Sequence, residues 1–262
     1  MAIEEGDFVK INFTGFVKST GDIYSTTIEE LAHEANIYDE NKVYTPSVFI
    51  LGSHQIFVEI EEELIGHEVG DKVRVEIPYQ NAFGSRDPKL IKTMHIKEFK
   101  KTGVNPYPGL LIQSEGSTGR VLTVNGGRVK VDFNNEFAGK DLICEVEVCD
   151  IVEDLEEKIK GLILLRLAFP TVDIEKTKLE FDGDVLNIVL DPFVGFIQET
   201  NQNLTISKFK IARDIYEHIE GVNQVNFVEE YIKPVEKKPA DEEEVSSDEE
   251  AVSDEVETSE EN

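Results

Sequence analysis

The sequence is poor in positive charge. Against 54 Asp and Glu it sets only 26 Lys and Arg over 262 residues, for a formal net charge of −28. Nucleic acid is therefore excluded as a main partner, because phosphate recognition needs clustered cations. The same shortage argues against docking to an anionic membrane. Cysteine is scarce too. Cys144 and Cys149 stand five apart in an alternating apolar run, which is neither a CxxC nor a metal-ligand spacing. Residues an odd number apart on a strand face opposite ways, so the two thiols are predicted not to pair, as suits a reducing, cytoplasmic compartment. The opening MAIEEGDFVKINF has neither the basic nor the apolar region of a signal peptide. The longest apolar run, Leu162–Leu165, is far too short to cross a bilayer. Catalytic signatures are missing as well: there is no GxSxG, HExxH, P-loop or GxGxxG. The five histidines (His33, His54, His67, His95, His218) are scattered and read as ordinary surface or core residues. No metal and no cofactor is expected.

What is present is β-rich in its first half. Phe8–Phe13 and Phe16–Val17, followed by a turn at Ser19–Asp22 and then Ile23–Tyr24, read as two strands. Ser47–Leu51 is a short apolar strand closed by Gly52. Glu59–Ile65 has the length and acid content of a short helix closed by Gly66. Asp71–Pro78 alternates strictly, with Val73, Val75 and Ile77 on one face, and Asp141–Ile151 alternates in the same way. Between these two strands lies a segment with strand signals of its own at Met94–Ile96 and Leu110–Ile112. It also carries an Asn125–Gly126–Gly127 turn between Val121–Val124 and Val129–Val131, a strong hairpin signal. A structureless loop of that length is uncommon in a compact domain, so residues 86–131 are expected to form a small β-rich inserted unit.

After Glu153 the pattern changes. Asp154, with Glu157 three residues on, is expected to cap a helix carrying Leu155, Ile159, Leu162, Ile163 and Arg166 and stopped by Pro170. An Asp182–Gly183 turn sits inside Lys178–Leu190. Thr205–Glu220 reads as a second helix with Ile206, Phe209, Ile211, Ile215, Tyr216 and Ile219 inward, and Val222–Ile232 as a last strand. The fold class is thus α+β: an antiparallel sheet wrapped on a short helix (1–85 plus 132–152), the inserted unit, and a separate α-β-β-α-β domain over 153–232. From residue 233 onward the chain is expected to be an acidic, disordered tail. Ala240–Asn262 holds 12 acids and no Lys or Arg, and such a segment cannot bury enough apolar surface to offset its ordering entropy.

Aromatic residues sit on or beside the short β-runs of the first half, which by itself is ordinary sheet packing. The stretches VKINFTGFVKSTGDIYSTT (Val9–Thr27), FILGSHQIFVEIEEELIGHEVGDK (Phe49–Lys72) and VEIPYQNAFG (Val75–Gly84), with the final strand DLICEVEVCDI, resemble the FK506-binding protein family of peptidyl-prolyl isomerases. The long insert followed by VDFNNEFAGKDL (Val131–Leu142) is similar to the SlyD-like subgroup, whose insert-in-flap domain acts as a chaperone. Residues 153–232 look like the extra domain of the long archaeal members. The resemblance implies a proline pocket at Phe13, Tyr24, Phe49, Ile56, Phe57, Ile60 and Phe83, closed by Phe137. Ser25, Ile60 and Cys144 depart from the short members' Asp, Trp and late-strand aromatic, and Phe13 and Phe83 replace tyrosines and so remove two hydroxyls.

The implied activity is X-Pro isomerisation in a dry aromatic pocket, with no acid, base, metal or cofactor. The implied partners are unfolded or partly folded proline-containing polypeptides. Candidate client contacts on the insert are Leu90, Ile91, Met94, Ile96, Leu110, Leu111 and Ile112, although for any single one of them a place in the insert's own small core is the favoured reading, since so small a unit needs most of its apolar residues inside. Two rival readings stand beside this one. The first is a holdase with a vestigial isomerase site. The second is a homodimeric scaffold acting through the helix Leu155–Phe169 and the apolar loop Phe193–Ile197.

Overall fold

The computed structural model describes residues 1–114, 116–167, 169, 173–191, 194 and 204–230. In chain order the elements are β1 (Phe8–Val17), β2 (Ile23–Thr26), α1 (Glu29–Glu34), β3 (Ser47–Ile50), α2 (Val58–Leu64), β4 (Lys72–Ile77), β5 (Ile91–His95) and α3 (Ile96–Lys101). They continue with β6 (Leu111–Ser114), β7 (Ser117–Asn125), β8 (Arg128–Asp132), β9 (Leu142–Ile151), α4 (Leu155–Leu167), β10 (Lys178–Asp182), β11 (Val185–Val189), α5 (Leu204–His218) and β12 (Gln224–Val228). Met1–Glu230 form one compact unit.

The principal sheet runs β2-β1-β9-β4, with β3 also pairing to β1, and all of its pairings are antiparallel. The strict alternation of β4 puts Val73, Val75 and Ile77 inside and leaves Lys72, Arg74 and Glu76 outside. Those inward residues meet Ile60 and Leu64 of α2 and Val146 and Val148 of β9 in one core. β1 is a single strand of ten residues rather than two, because its pairing to β9 continues through Gly15, and a bulge at Gly15/Phe16 absorbs the bend toward β2.

The run Val48–Phe49–Ile50–Leu51 is apolar throughout, as a strand buried on both faces requires. Phe49 and Leu51 point into the core under α2. Val48 and Ile50, with Phe8 from β1, point the other way, into a second core built by Ile159, Leu162 and Ile163 of α4 and Ile211 and Ile215 of α5.

The insert is a four-stranded antiparallel sheet, β5-β8-β7-β6, closed by α3. Its hairpin turns on Gly126 and Gly127, both at positive φ (57° and 80°), the conformation that glycine permits without a Cβ penalty. Ile96 starts a helix instead of continuing the predicted strand, since the His95 side chain accepts the Lys97 N–H at 3.1 Å and caps α3. The short helix α1 has no forerunner in the sequence reading.

The C-terminal part follows the order α-β-β-α-β. Its sheet runs β10-β11-β12, antiparallel and then parallel, with α5 as the crossover. Asp154 Oδ1 accepts the Glu157 N–H at 2.9 Å, so the expected N-cap of α4 is in place. The inward face of α5 agrees with the expected one only in part. Ile211, Ile215 and Ile219 are buried, but Ile206, Phe209 and Tyr216 are 52%, 63% and 42% exposed, and Ser207 and Asp214 take the inward places instead. The cause is Asp214: its carboxylate accepts from Arg166 of α4, from Arg213 and from Gln55, and a buried charge must face its partners. Helix α4 ends at Leu167; Pro170, most of Phe193–Ile197 and the tail from 233 lie outside the described residues.

Helix α4 approaches β3 closely. A Cβ built on Gly161 would lie 2.7 Å from Val48 Cβ and Cγ2. Ala is preferred over Gly in helices by about 1 kcal/mol, whereas overpacking a tight core costs about 1–3 kcal/mol, and a β-branched Val has few rotamers with which to yield. Gly161→Ala is therefore expected to lower the unfolding free energy by about 1–2 kcal/mol. In a Val48→Ala background the same change is expected to stabilise. Urea titration of the four chains checks this, and a stabilised single Gly161→Ala chain would refute the packing argument.

Candidate active site

Four rings converge between the principal sheet, α2 and the loops that flank the insert. Tyr24 stands on β2, Phe57 caps the start of α2, Phe83 lies in the loop after β4, and Phe137 lies in the loop before β9. The Tyr24–Phe83 and Phe57–Phe83 pairs are edge-on, at 6.4 and 6.1 Å between centroids. Phe137 leans on Tyr24 at 5.0 Å and on Phe83 at 5.4 Å. Such tilted and edge-on contacts suit the ring quadrupoles. The four are only part-buried, so together they form an accessible apolar cluster and not a sealed core.

Each ring is held by its local chain. The loop Pro78–Gly84 closes on itself through Ala82 N–H to Pro78 O (3.1 Å) and Gly84 N–H to Tyr79 O (2.7 Å). Gly139 N–H donates to Gly84 O at 2.7 Å, which latches the Phe137 loop to the Phe83 loop. Asn135 Oδ1 accepts the Phe137 N–H at 2.8 Å. Behind Tyr24, β1 and β2 are joined by the buried pair Thr14 Oγ1···Thr26 Oγ1 at 2.9 Å. Tyr24 itself lies flat on Gly15: a Cβ there would meet the ring at 2.5 Å. Its hydroxyl is 3.6 Å from Cys144 Sγ on β9. Burial pushes the Tyr24 phenol well above its ordinary range, and burial likewise raises the Cys144 thiol. Both groups are thus held neutral, and the floor of the pocket carries no charge.

The other residues named from sequence divide around this surface. Ile56 and Phe57 flank its edge, and Ile60, 4% exposed, lies in the first turn of α2 beneath it. Phe49 is part of the core below. Phe13 packs on the same core and borders a groove of about 280 Å³ that Ile28 and Leu31 also line. Gly15 and Ala82 join the site without having been chosen from sequence, and Cys144 stands under Tyr24 where the resemblance implies a late-strand aromatic in other members. For Gly15 the only signal was its place in Phe13–Thr14–Gly15, two residues beyond a strand's aromatic.

One electrostatic detail matters for what the surface can do. Among the described residues, neither the Ile56 nor the Phe57 N–H donates a hydrogen bond, and the helical pattern of α2 begins only beyond them. Two free donors at the edge of an apolar surface are suited to a peptide carbonyl. No group of three or more His, Cys, Asp or Glu among the described residues is arranged to hold a metal ion.

Comparison with known proteins fits this geometry. Residues 1–100 match a family model described as FKBP-type peptidyl-prolyl cis-trans isomerase. The short-type peptidyl-prolyl cis-trans isomerase of Methanocaldococcus jannaschii is 35% identical over 149 residues, 57% of this chain and 94% of that protein. The chain belongs to the FKBP-type peptidyl-prolyl cis-trans isomerases. Residues 92–137 further match a model described as the FKBP26 IF domain, and residues 155–232 one described as FKBP26 C-terminal. Escherichia coli SlyD is 29% identical over 142 residues, 52% of this chain and 71% of that protein. The 16 kDa isomerase of the same organism is 31% identical over 115 residues, 42% and 77% of the two chains.

Within this FKBP-type isomerase the insert divides its apolar residues. Met94, Ile96, Leu110 and Ile112 pack against the insert's own core of Phe99, Val121, Val129 and Val131. Leu90 and Leu111 are 40% and 56% exposed, and Ile91 is half-buried. At the root of the insert Arg86 is paired with the buried Asp132, whose carboxylate also accepts from Asn134. A cavity of about 470 Å³ opens beside this pair, lined also by Leu111, Arg120, Glu136 and Lys140.

Gly15→Ala is expected to displace the Tyr24 ring and cut kcat/KM on a short prolyl peptide by ~10–100-fold, since misplacement by about 1 Å costs on that order. Its far-ultraviolet circular dichroism should stay native. Wild-type turnover from the Gly15→Ala chain would show that the ring's seat on Gly15 is irrelevant.

Proposed function

We propose that the Tyr24–Phe57–Phe83–Phe137 surface, completed by Ile56 and Ile60, seats a prolyl residue and accelerates cis–trans exchange of the preceding peptide bond. The observation that carries this is the pairing of a neutral, part-exposed cluster of four rings with two unused amides at its edge. Partial double-bond character gives the peptide bond a barrier of about 18–20 kcal/mol. Twisting it breaks the resonance, so the transition state has a less polar carbonyl than the planar amide. An apolar surface penalises the planar form more, and that difference is catalysis. Each ~1.4 kcal/mol of it gives about tenfold, so about 4 kcal/mol gives a thousandfold. The Ile56 and Phe57 amides hold the substrate carbonyl in register while the proline ring stays against Phe83 and Phe137. No proton moves.

Because no acid or base takes part, the rate on a short peptide should be flat with pH. Both pocket groups are raised above their ordinary values of 10.0 for Tyr24 and 9.0 for Cys144, so neither ionises below about pH 9. The neutral forms favour the fold below those ordinary values, and that contribution fades only as pH climbs through the raised ones. We expect kcat/KM constant within about twofold from pH 5.5 to 8.5, and a bell-shaped profile would sink the mechanism.

The insert is read as a client holder that raises substrate concentration near the pocket. Leu90 and Leu111, with Val104 and Tyr107 at 36% and 59% exposure, form its accessible apolar surface. A chain lacking residues 87–131, bridged by a short linker, should keep its rate on a tetrapeptide and lose about tenfold or more in catalysed refolding of a proline-limited protein. Equal loss in both assays would refute a separate holding role. Suppression of aggregation that survives Phe83→Ala, with peptide turnover abolished, would separate holding from catalysis.

The exposed face Ile206–Phe209–Tyr216 of α5 supports a homodimer. Helix α4, proposed for that role from sequence, instead buries its apolar face on β3 and α5. Sedimentation at tens of micromolar should show a dimer that Phe209→Glu converts to monomer. A monomeric wild type removes this part of the reading.

A further inference from the structure

The two amides assigned to the substrate carbonyl belong to a loop that the principal sheet does not hold alone. Between β3 and α2 the chain passes through Gly52 and His54, both at positive φ (83° and 56°). For His54 this is a conformation that L side chains adopt only when their surroundings impose it. Ser53 Oγ donates to Ile50 O at 2.7 Å and fixes the first turn of the loop. Next in the loop stands Gln55, and its side chain is tied at both ends. Its Oε1 accepts the Ile50 N–H at 3.1 Å, and its Nε2 donates to Asp214 Oδ2 at 3.1 Å. The reversed amide would set oxygen against carboxylate and nitrogen against an N–H, so the network admits one orientation.

Asp214 is no surface acid. It is 3% exposed, and the same Oδ2 accepts from Arg166 Nη2 at 3.2 Å while Oδ1 accepts from Arg213 Nη2 at 3.0 Å. Its position is therefore set by α4 and α5. Gln55 is thus anchored on one side to β3 and on the other to a helix 159 residues further along the chain. The next two residues are Ile56 and Phe57, whose N–H groups donate to no group among the described residues.

We propose that Gln55 is a positioning residue of the isomerase, through which Asp214 and the α4–α5 pair set the direction of the Ile56 and Phe57 amides. This inference rests on the reading above that those amides hold the substrate carbonyl. It gives the C-terminal part a role in catalysis that does not depend on whether it dimerises.

The test is steady-state isomerisation of a short prolyl peptide by the full chain. The amides hold the carbonyl in the ground and twisted states alike, so loosening them raises KM more than it lowers kcat. Gln55→Ala should raise KM about tenfold, the worth of one lost hydrogen bond of ~1.4 kcal/mol, with kcat within about twofold. A chain that is merely part-unfolded would lower apparent kcat at constant KM. Gln55→Glu, which sets two carboxylates together, should raise KM at least as far. An unchanged KM in Gln55→Ala, or in Gln55→Glu, overturns the proposal. Phe83→Ala run in parallel separates the two levels. If it keeps wild-type turnover the pocket reading falls, and if it abolishes turnover while Gln55→Ala leaves KM unchanged only the positioning role of Gln55 falls.

Discussion

Strand β3 has no solvent face, and the rest of the molecule is arranged around that. Phe49 and Leu51 fill the core beneath the pocket, while Val48 and Ile50 fill the core of the C-terminal helices. With four apolar residues alternating between two cores, neither part of Met1–Glu230 is finished without the other. Removing the C-terminal helices would leave Val48, Ile50 and Phe8 facing water, a loss of roughly 1.5–3 kcal/mol for each side chain fully uncovered. The close approach of Gly161 to Val48 and the Gln55–Asp214 bond are both consequences of docking α4 and α5 directly on that strand.

The pocket is built on the same economy of parts. Its rings come from four separate segments, and three of those are loops or element ends. What fixes them is short-range: turns closed by backbone bonds, a latch from Gly139 to Gly84, and a glycine that lets a tyrosine lie on the sheet. The proposed chemistry asks only for shape, dryness and two oriented N–H groups, and on that reading no catalytic signature need stand out in the sequence.

Much of this was legible where local rules decide. The alternation of β4 and β9, the Asp154 cap, the Gly126–Gly127 hairpin and the short helix α2 all follow from period, cap and turn chemistry. The aromatic residues were legible through family resemblance, since their types alone spell ordinary sheet packing. What could not be read depended on partners remote in sequence. The face of α5 is chosen by an ion pair with α4, so the apolar residues Ile206, Phe209 and Tyr216 misled. Ile96 entered a helix because its neighbour His95 capped one. Gly15 and Gln55 matter for what lies against them, and nothing in their own neighbourhood announces it.

The neck of the insert carries a consequence for descent. Arg86 and Asp132 are paired side by side, so the host fold sees only two adjacent chain ends, whatever lies between them. Loop closure grows more expensive by only about 0.6 kcal/mol per doubling of length. A flap of a few residues can therefore lengthen into a folded unit with little penalty to the host, and such a unit can be traded between hosts or dropped without refolding the enzyme around it. On that view the insert is a replaceable attachment, whereas the C-terminal helices, which share a strand with the pocket, can be neither swapped nor shed in one step.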